Sequence, residues 1–383
     1  MTVVPPQPKH LLTVLHAAER TGPALMALHF LRWLREHHPE WATSTLLIDC
    51  GGGLEPEFAE LGPLVVAGPA YPFGPGNSRV HRGVIRRKLR TVRRRVAALG
   101  PVDVTQVHCA GSMRIRPVLP DAPVVCHVHE LSVGLDLHLG PMARDALQGA
   151  DRFVVASESV REALAARFRI DPALVTRHHE FVAPYAATAS RARVDLGLPP
   201  DAFVVVGSGV RHWRKGPELF VRTALTARRR SPDIDWRFLW VGGADSGGLE
   251  SLVRSADLGD LVEFVPHQAD PQQWFAAGDA FLLTAREDAF PLVCVEAALA
   301  GRPIVTFDNG GATELVRHSA GGVVVGFPDV EGVADALSGL ARDRSACAAL
   351  GARAQRFAQR NLTVDSVAPA LLATIEETRK ARS

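Results

Sequence analysis

A doubly wound α/β fold, built as two Rossmann-like parallel-sheet domains facing a cleft, is what this sequence predicts. Short β-branched or apolar runs alternate with longer helical patterns, the signature of parallel strands joined by helical crossovers. The alternation runs through one series and starts again at Phe203. A length of 383 residues favours two domains at roughly 100–200 residues each.

Leu11–His16 reads as the first strand. Thr21-Gly22-Pro23 then opens a helix whose apolar face runs Leu25, Leu28, Phe30, Leu31 and Leu34 at helical spacing. Thr45–Ile48, Leu64–Val66, Val104–Val107, Pro123–His127 and Phe153–Ala156 follow as strands. The second series is Phe203–Val206, Trp236–Val241, Leu261–Val265, Ala280–Leu283 and Pro303–Thr306. Between the series the chain is rich in Ala and Pro and ends Leu196-Gly197-Leu198-Pro199-Pro200, the composition of a linker. The expected division is therefore an N-terminal domain over 1–185, a linker over 186–202 and a C-terminal domain over 203–360. A helix over 361–383 then closes the chain and packs back on the first domain.

Composition narrows the classes. The chain is 47% hydrophobic and 22% charged, an ordinary globular balance. No apolar run approaches the ~18–20 residues that span a bilayer, and Leu11–Leu15 behind Lys9 is too short for a secretory signal. Cys50, Cys109, Cys126, Cys294 and Cys347 are scattered and odd in number. They read as free thiols in a reducing, cytoplasmic compartment.

Chemistry concentrates in the stretch Arg286 to Ala297, which follows the strand Ala280–Leu283 and so lies where parallel sheets bind ligands. Pro291 suits the first position of a helix. The amides of Leu292 and Val293, just past Phe290, then offer an anion site at the positive end of the helix dipole. Asp288 precedes that helix and Glu296 lies within it. A sugar nucleotide needs such a set: one carboxylate for sugar hydroxyls, amides for phosphate, and a second carboxylate for a ribose diol. The plainer alternative is that Asp288 caps the helix and Glu296 pairs with a surface Arg.

The segment resembles the double-carboxylate motif of glycosyltransferase family 4, the glycosyl transferases group 1, which have the GT-B fold. Family members usually carry Glu as the first acid, where this chain has Asp288 with Glu287 beside it. Val206 to Gly216 resembles the loop in which relatives set basic side chains on the donor diphosphate. Lys215 matches the family lysine, while Gly209 stands where many members have Arg, so Arg211 or Arg214 must substitute. Arg214-Lys215 is also readable as a solvated helix start. In the first half, Glu19 to Pro23 is similar to the family's glycine loop, with Gly22 near the donor phosphates. His127-Val128-His129-Glu130 follows a strand, and the resemblance implies that His129 lines the donor sugar. A metal on His-x-His is disfavoured because no third ligand is spaced nearby. Asp308 to Glu314 is similar to the second glycine loop, Gly310 and Gly311 closing over sugar or phosphate; a strand–helix turn capped by Thr313 or Asn309 explains the same residues. Phe264-Val265-Pro266-His267 corresponds to the place where relatives hold the base through backbone groups.

The net charge of +2 conceals nine positive charges between Arg79 and Arg95 with no acid among them. Ile85, Leu89, Val92, Val96 and Leu99 make that segment an amphipathic helix. Its arginine face has three readings: an anionic membrane surface, attraction of a phosphate- or carboxylate-bearing acceptor, or plain solvation. Nucleic acid is disfavoured because no aromatics interleave the arginines. Asp233-Ile234-Asp235 precedes a strand, away from the ligand end, and is discounted as a metal-binding acid pair.

Together these features predict a metal-independent glycosyltransferase using a nucleotide-diphospho-sugar as co-substrate, with no separate cofactor, and the resemblance implies that it is retaining. The expected acceptor is a glycan, a lipid-linked molecule or a small molecule, and the enzyme would be cytoplasmic and peripheral on the inner membrane face. His129, Asp288, Lys215 and Glu296 carry its chemistry. The rivals are a sugar-nucleotide-binding protein without turnover and an NAD-dependent oxidoreductase. For the latter, Gly207-Ser208-Gly209 lacks its third glycine at His212.

Overall fold

The computed structural model describes residues 9–68, 79–139, 145, 147–183, 189–243, 248–268 and 271–382. The chain forms two compact units, Met1–Glu180 with Val364–Ser383 and, separately, Phe181–Thr363.

The first unit holds seven strands: β1 (Lys9–Ala17), β2 (Trp41–Cys50), β3 (Leu64–Val66), β4 (Val104–His108), β5 (Val124–Val128), β6 (Arg152–Val155) and β7 (Val175–Arg177). Their order is β3-β2-β1-β4-β5-β6-β7, and every pairing is parallel. The second unit holds β8 (Phe203–Ser208), β9 (Trp236–Val241), β10 (Val262–Val265), β11 (Ala280–Leu283), β12 (Ile304–Phe307) and β13 (Gly322–Val325). Its order is β10-β9-β8-β11-β12-β13, again wholly parallel. Strand order reverses between β1 and β4 and between β8 and β11, and ligands of such sheets bind outside the carboxyl ends at that reversal.

Burial explains which strands were legible. β4, β5, β8 and β11 are buried throughout, as strands covered on both faces must be, and they read as continuous apolar runs. The edge strands β7 and β13 escaped the sequence reading: one is three residues long, the other half-buried. In the second core Phe220 meets Phe238 and Trp240 edge-on at 5.5 and 5.3 Å. Position 207 must be glycine, because a Cβ there would lie 2.7 Å from the Phe220 ring.

One boundary differs from expectation. The stretch expected as a linker carries the helix Ala189–Asp195, and Ala192 packs on Ala276 and Ala277 of the second unit. Arg193 fixes it there by pairing with Asp279 at 2.5 Å and donating to the Ala277 carbonyl at 2.9 Å. The closing helix runs Val364–Ala381 and belongs to the first unit. Lys9 meets Glu376 at 2.5 Å and His178 meets Thr374 at 2.8 Å. Among the described residues no helix is long and apolar enough to cross a membrane.

Candidate functional site

In the second unit, β8 delivers its chain into a tight loop at the sheet's carboxyl end. Gly209 has φ of +141°, and its carbonyl accepts from the Trp240 indole at 3.0 Å. Gly242-Gly243, unremarked in the sequence, follows β9 and lets the two loops touch: a Cβ on Gly243 would lie 2.5 Å from Val210 Cα. A single 3₁₀ turn, Trp213–Lys215, comes next, capped by the His212 ring accepting from the Arg214 amide at 3.4 Å. Thr284, just past β11, clamps the end of that turn. Its hydroxyl is within hydrogen-bond distance of the Gly216 and Lys215 carbonyls, at 2.8 and 3.1 Å.

This clamp brings the basic turn onto the acidic segment. Lys215 Nζ donates to Asp288 Oδ2 at 2.6 Å. Arg214 Nη1 donates to the same oxygen at 3.3 Å and to the Glu287 carbonyl at 3.1 Å. Arg286 holds the turn from the other side. It donates to the Trp213 carbonyl, lies 5.5 Å over the Trp213 indole and pairs with Glu218 at 2.5 Å. The two arginines that the sequence left open differ in their surroundings. Arg214 shares Asp288 with Lys215, whereas Arg211 stacks on Phe264 at 4.9 Å and lies 3.3 Å from Glu250.

Asp288 is 8% exposed. Burial by itself raises its carboxyl, but the charges and hydrogen bonds of Lys215 and Arg214 hold it below its usual value. The helix Leu292–Leu299 begins three residues after the segment Asp288-Ala289, with Pro291 as its N-cap rather than its first helical residue, φ −73° and ψ 115°. That extended ψ is what a residue ahead of the first turn adopts. No side chain caps this helix, and the Leu292 and Val293 amides have no acceptor among the described residues. Glu296 is half-buried one turn beyond Leu292, on the same face. Phe290 is buried. The Cys294 thiol is pushed well above its ordinary value, by burial first, then by Asp288 and Glu296 against the opposing charge of Lys215.

Gly311 holds the backbone of the acidic segment. Gly311 donates its amide to the Asp288 carbonyl at 2.9 Å, and Asp288 returns one to Asn309 at 3.1 Å, a short parallel bridge. A Cβ on Gly311 would lie 2.0 Å from the Ala289 carbonyl. Asn309 also donates its side-chain amide to the Ala285 carbonyl and its backbone amide to the Thr313 hydroxyl. This loop fastens the acidic segment, so the Gly311 amide is not free for a phosphate. Asp233 and Asp235 pair with Arg342 and Arg237, as solvated acids at the other end of the sheet do.

In the first unit, Gly22 opens the helix Gly22–His37, whose Thr21 N-cap makes no side-chain bond. The sequence reading missed an adjoining network in which Asp49 takes Arg114 at 3.2 Å and His16 at 3.1 Å. Both ring nitrogens of His129 are engaged. Nδ1 meets Glu180 at 2.7 Å and Nε2 meets His108 Nδ1 at 3.0 Å, all within the unit's interior. With the Glu180 carboxylate as acceptor, His129 carries its proton on Nδ1 and accepts from His108 at Nε2. Glu130 instead collects backbone amides, those of His129 at 3.0 Å and Ala110 at 3.1 Å. Cys109 between them has φ of +68°, strain located where β4 ends.

Of the basic helix Arg79–Ala97, Val92 and Val96 are buried while Arg87, Lys88, Arg90, Arg93, Arg94 and Arg95 are exposed. The side chains of Arg79, Arg82, Ile85 and Arg86 lie outside the described residues, as does that of Cys50.

Known proteins resemble this chain in sequence and in fold. Residues 29–184 match the model of Glycosyltransferase Family 4, and residues 200–343 match that of Glycosyl transferases group 1. A D-inositol 3-phosphate glycosyltransferase of Pseudarthrobacter chlorophenolicus is 32% identical over 178 residues, 45% of this chain and 42% of that one. One of Rhodococcus erythropolis is 30% identical over 285 residues, 68% of this chain. The chain thus spans less than two thirds of either relative, 63% in the second case. The crystal structure of Anabaena Alr3699/HepE in complex with UDP and glucose superposes with a TM-score of 0.78 at 19% identity, over 96% of this chain and all of that one. That likeness shows the GT-B fold. With two family models taking in most of its length on that fold, the chain belongs to the family 4 glycosyltransferases.

Proposed function

We propose that this chain transfers a glycosyl unit from a UDP-sugar to a hydroxyl of a phosphate-bearing acceptor, with retention at the anomeric carbon and without a metal at the diphosphate. One observation carries the reading: Lys215 and Arg214 converge on Asp288 beside a helix start whose first two amides are unpaired. A diphosphate placed there competes with Asp288 for both cations and takes the Leu292 and Val293 amides. Asp288 is then released to the sugar hydroxyls, and Glu296 serves the ribose diol. As the bond from the anomeric carbon to the diphosphate breaks, Lys215 and Arg214 stabilise the charge that develops on the departing oxygen. The acceptor oxygen bonds to the same carbon, and its proton passes to the leaving phosphate. The names of the relatives support a sugar-phosphate-like acceptor, and the neighbour's bound UDP and glucose support the donor. Buried free thiols at Cys126, Cys294 and Cys347 fit a reducing cytoplasm.

The decisive experiment is release of nucleoside diphosphate from UDP-, GDP- and ADP-sugars, paired with thermal shift against the same panel. A donor at ~100 times its dissociation constant stabilises by ~2.7 kcal/mol. Stabilisation without any release would leave a binding protein in place of an enzyme. The exposed arginines of the helix Arg79–Ala97 suit an anionic acceptor, free or borne on a membrane. Flotation with anionic and neutral liposomes separates these: salt-sensitive flotation on the anionic ones alone assigns the face to a membrane surface.

A further inference from the structure

Three imidazoles meet in the interior of the first unit. His108 ends β4 and stands in register with His127 on β5, so neighbouring strands present both rings to the same face. His129 follows two residues later. One ring nitrogen from each lies within 4.8 Å of the other two. His108 and His129 are edge to edge, their planes 11° apart and their facing nitrogens 3.0 Å apart. His127 lies against His129 at 4.3 Å between ring centroids.

The cluster is under-satisfied. Among the described residues neither nitrogen of His127 has a hydrogen-bond partner, nor does Nε2 of His108, and each residue is 1% exposed. Leaving such a buried group unpaired costs ~1–3 kcal/mol, and a packed core histidine avoids it by bonding to backbone or water. Outside the cluster, the Glu180 carboxylate takes the Nδ1 proton of His129 at 2.7 Å. Metal-bound histidines are oriented by that same contact.

We infer that His108, His127 and His129 bind one transition-metal ion of the zinc class, with Glu180 as the positioning carboxylate. With zinc–nitrogen bonds of ~2.0–2.1 Å, two imidazoles on a tetrahedral ion stand ~3.3 Å apart, close to the separation of the facing nitrogens here. The ion takes the lone pair of His129 Nε2 that now accepts from His108, together with one nitrogen each of His108 and His127. Binding requires the stacked planes to rotate until the lone pairs converge, and a water completes the fourth position. An all-imidazole set selects zinc, copper or nickel over magnesium and calcium. The ion ties the ends of β4 and β5 together beside the strained Cys109. This site is built from residues of the first unit alone and does not depend on the donor reading.

The test uses untagged full-length protein, stripped with chelator, titrated with Zn²⁺, desalted and analysed for metal. One retained equivalent is expected, with a raised thermal midpoint that Mg²⁺ does not reproduce. His127→Gln should abolish retention, and Glu180→Gln should weaken affinity ~10–100-fold. Stripped wild-type protein loaded with Co²⁺ should show tetrahedral visible absorption, a readout that needs no variant to fold. Wild-type protein that emerges without zinc, or lacks the cobalt bands, overturns the site; so does a folded His127→Gln variant that holds zinc as tightly.

Discussion

Lys215 Nζ and Asp288 Oδ2 are 2.6 Å apart, and each residue stands just beyond the carboxyl end of a strand, β8 or β11, that neighbours the other across the reversal of the second sheet. The residues between them, 216–287, make β9, β10 and β11 with their helices, and they return the chain to the starting strand's side. The pair is a product of topology. Its energetics are open to direct measurement.

Asp288→Asn should lower stability by about 1–3 kcal/mol, because it takes the charge from an acceptor serving two cations. The pH dependence has a definite sign. The folded carboxyl lies below its usual value, so its contribution is complete above the unfolded value of ~3.9 and is lost as pH falls through the folded one. The gap between wild type and variant in urea unfolding should be constant from pH 8 to 5 and close in stronger acid. A gap that persists unchanged at pH 3 would mean that the pair is not its source.

Lys215→Ala and Arg214→Ala should each reduce kcat/KM for nucleoside diphosphate release by about 10²–10³ while leaving the circular dichroism spectrum intact. Arg211→Ala should act differently. Its guanidinium sits on Phe264 beside Glu250, so the expected loss is in stability, with less than a tenfold change in kcat/KM. An Arg211 variant as impaired in turnover as the Lys215 variant would contradict this assignment.

Gly311→Ala should push the acidic segment out of place, since the new Cβ meets the Ala289 carbonyl at 2.0 Å. Overpacking of that kind costs about 1–3 kcal/mol, and turnover should fall with it. Gly339→Ala supplies the contrast. It lies in the helix Val330–Arg342 with nothing within 4 Å of its Cβ, and it should gain about 0.5–1 kcal/mol. Paired thermal melts would read both.

His29 provides an acid-sensitive site in the first unit. Burial, then the charge of Arg32, push its imidazole down to about 4. The unfolded chain binds this proton near pH 6.5 and the folded chain does not, so stability is lost as pH falls from 6.5 towards 4. The full effect is of order 3 kcal/mol. His29→Gln should flatten the stability profile across that window, and a profile as steep as wild type would exclude His29 as its cause.

Much of this arrangement was legible before any coordinates. Buried parallel strands are apolar without interruption, so β4, β5, β8 and β11 announced themselves, and with them the loops at their ends. Lys215 was singled out by the resemblance of its loop, and Asp288 with a helix start set one residue early at Pro291 was found because proline and paired charges mark such a loop in the chain itself. Thr284, Glu180 and His108 were not. A buried threonine, an acid after a short edge strand and a histidine ending a strand are locally unremarkable, and each gains its meaning from a partner 21 to 69 residues away.

The order of residues therefore determined the two parallel sheets, the ends at which ligands gather and the chemical kinds of the groups placed there, because hydrophobic period and turn chemistry are local properties. Only the tertiary structure decided which arginine joins Lys215, that Gly311 fastens a backbone, and that the His129 ring is enclosed by Glu180 and His108. Those outcomes depend on strand order and side-chain direction. A hydrogen bond that forms or fails within an ångström is set by neighbours across the sheet, which no stretch of sequence contains by itself.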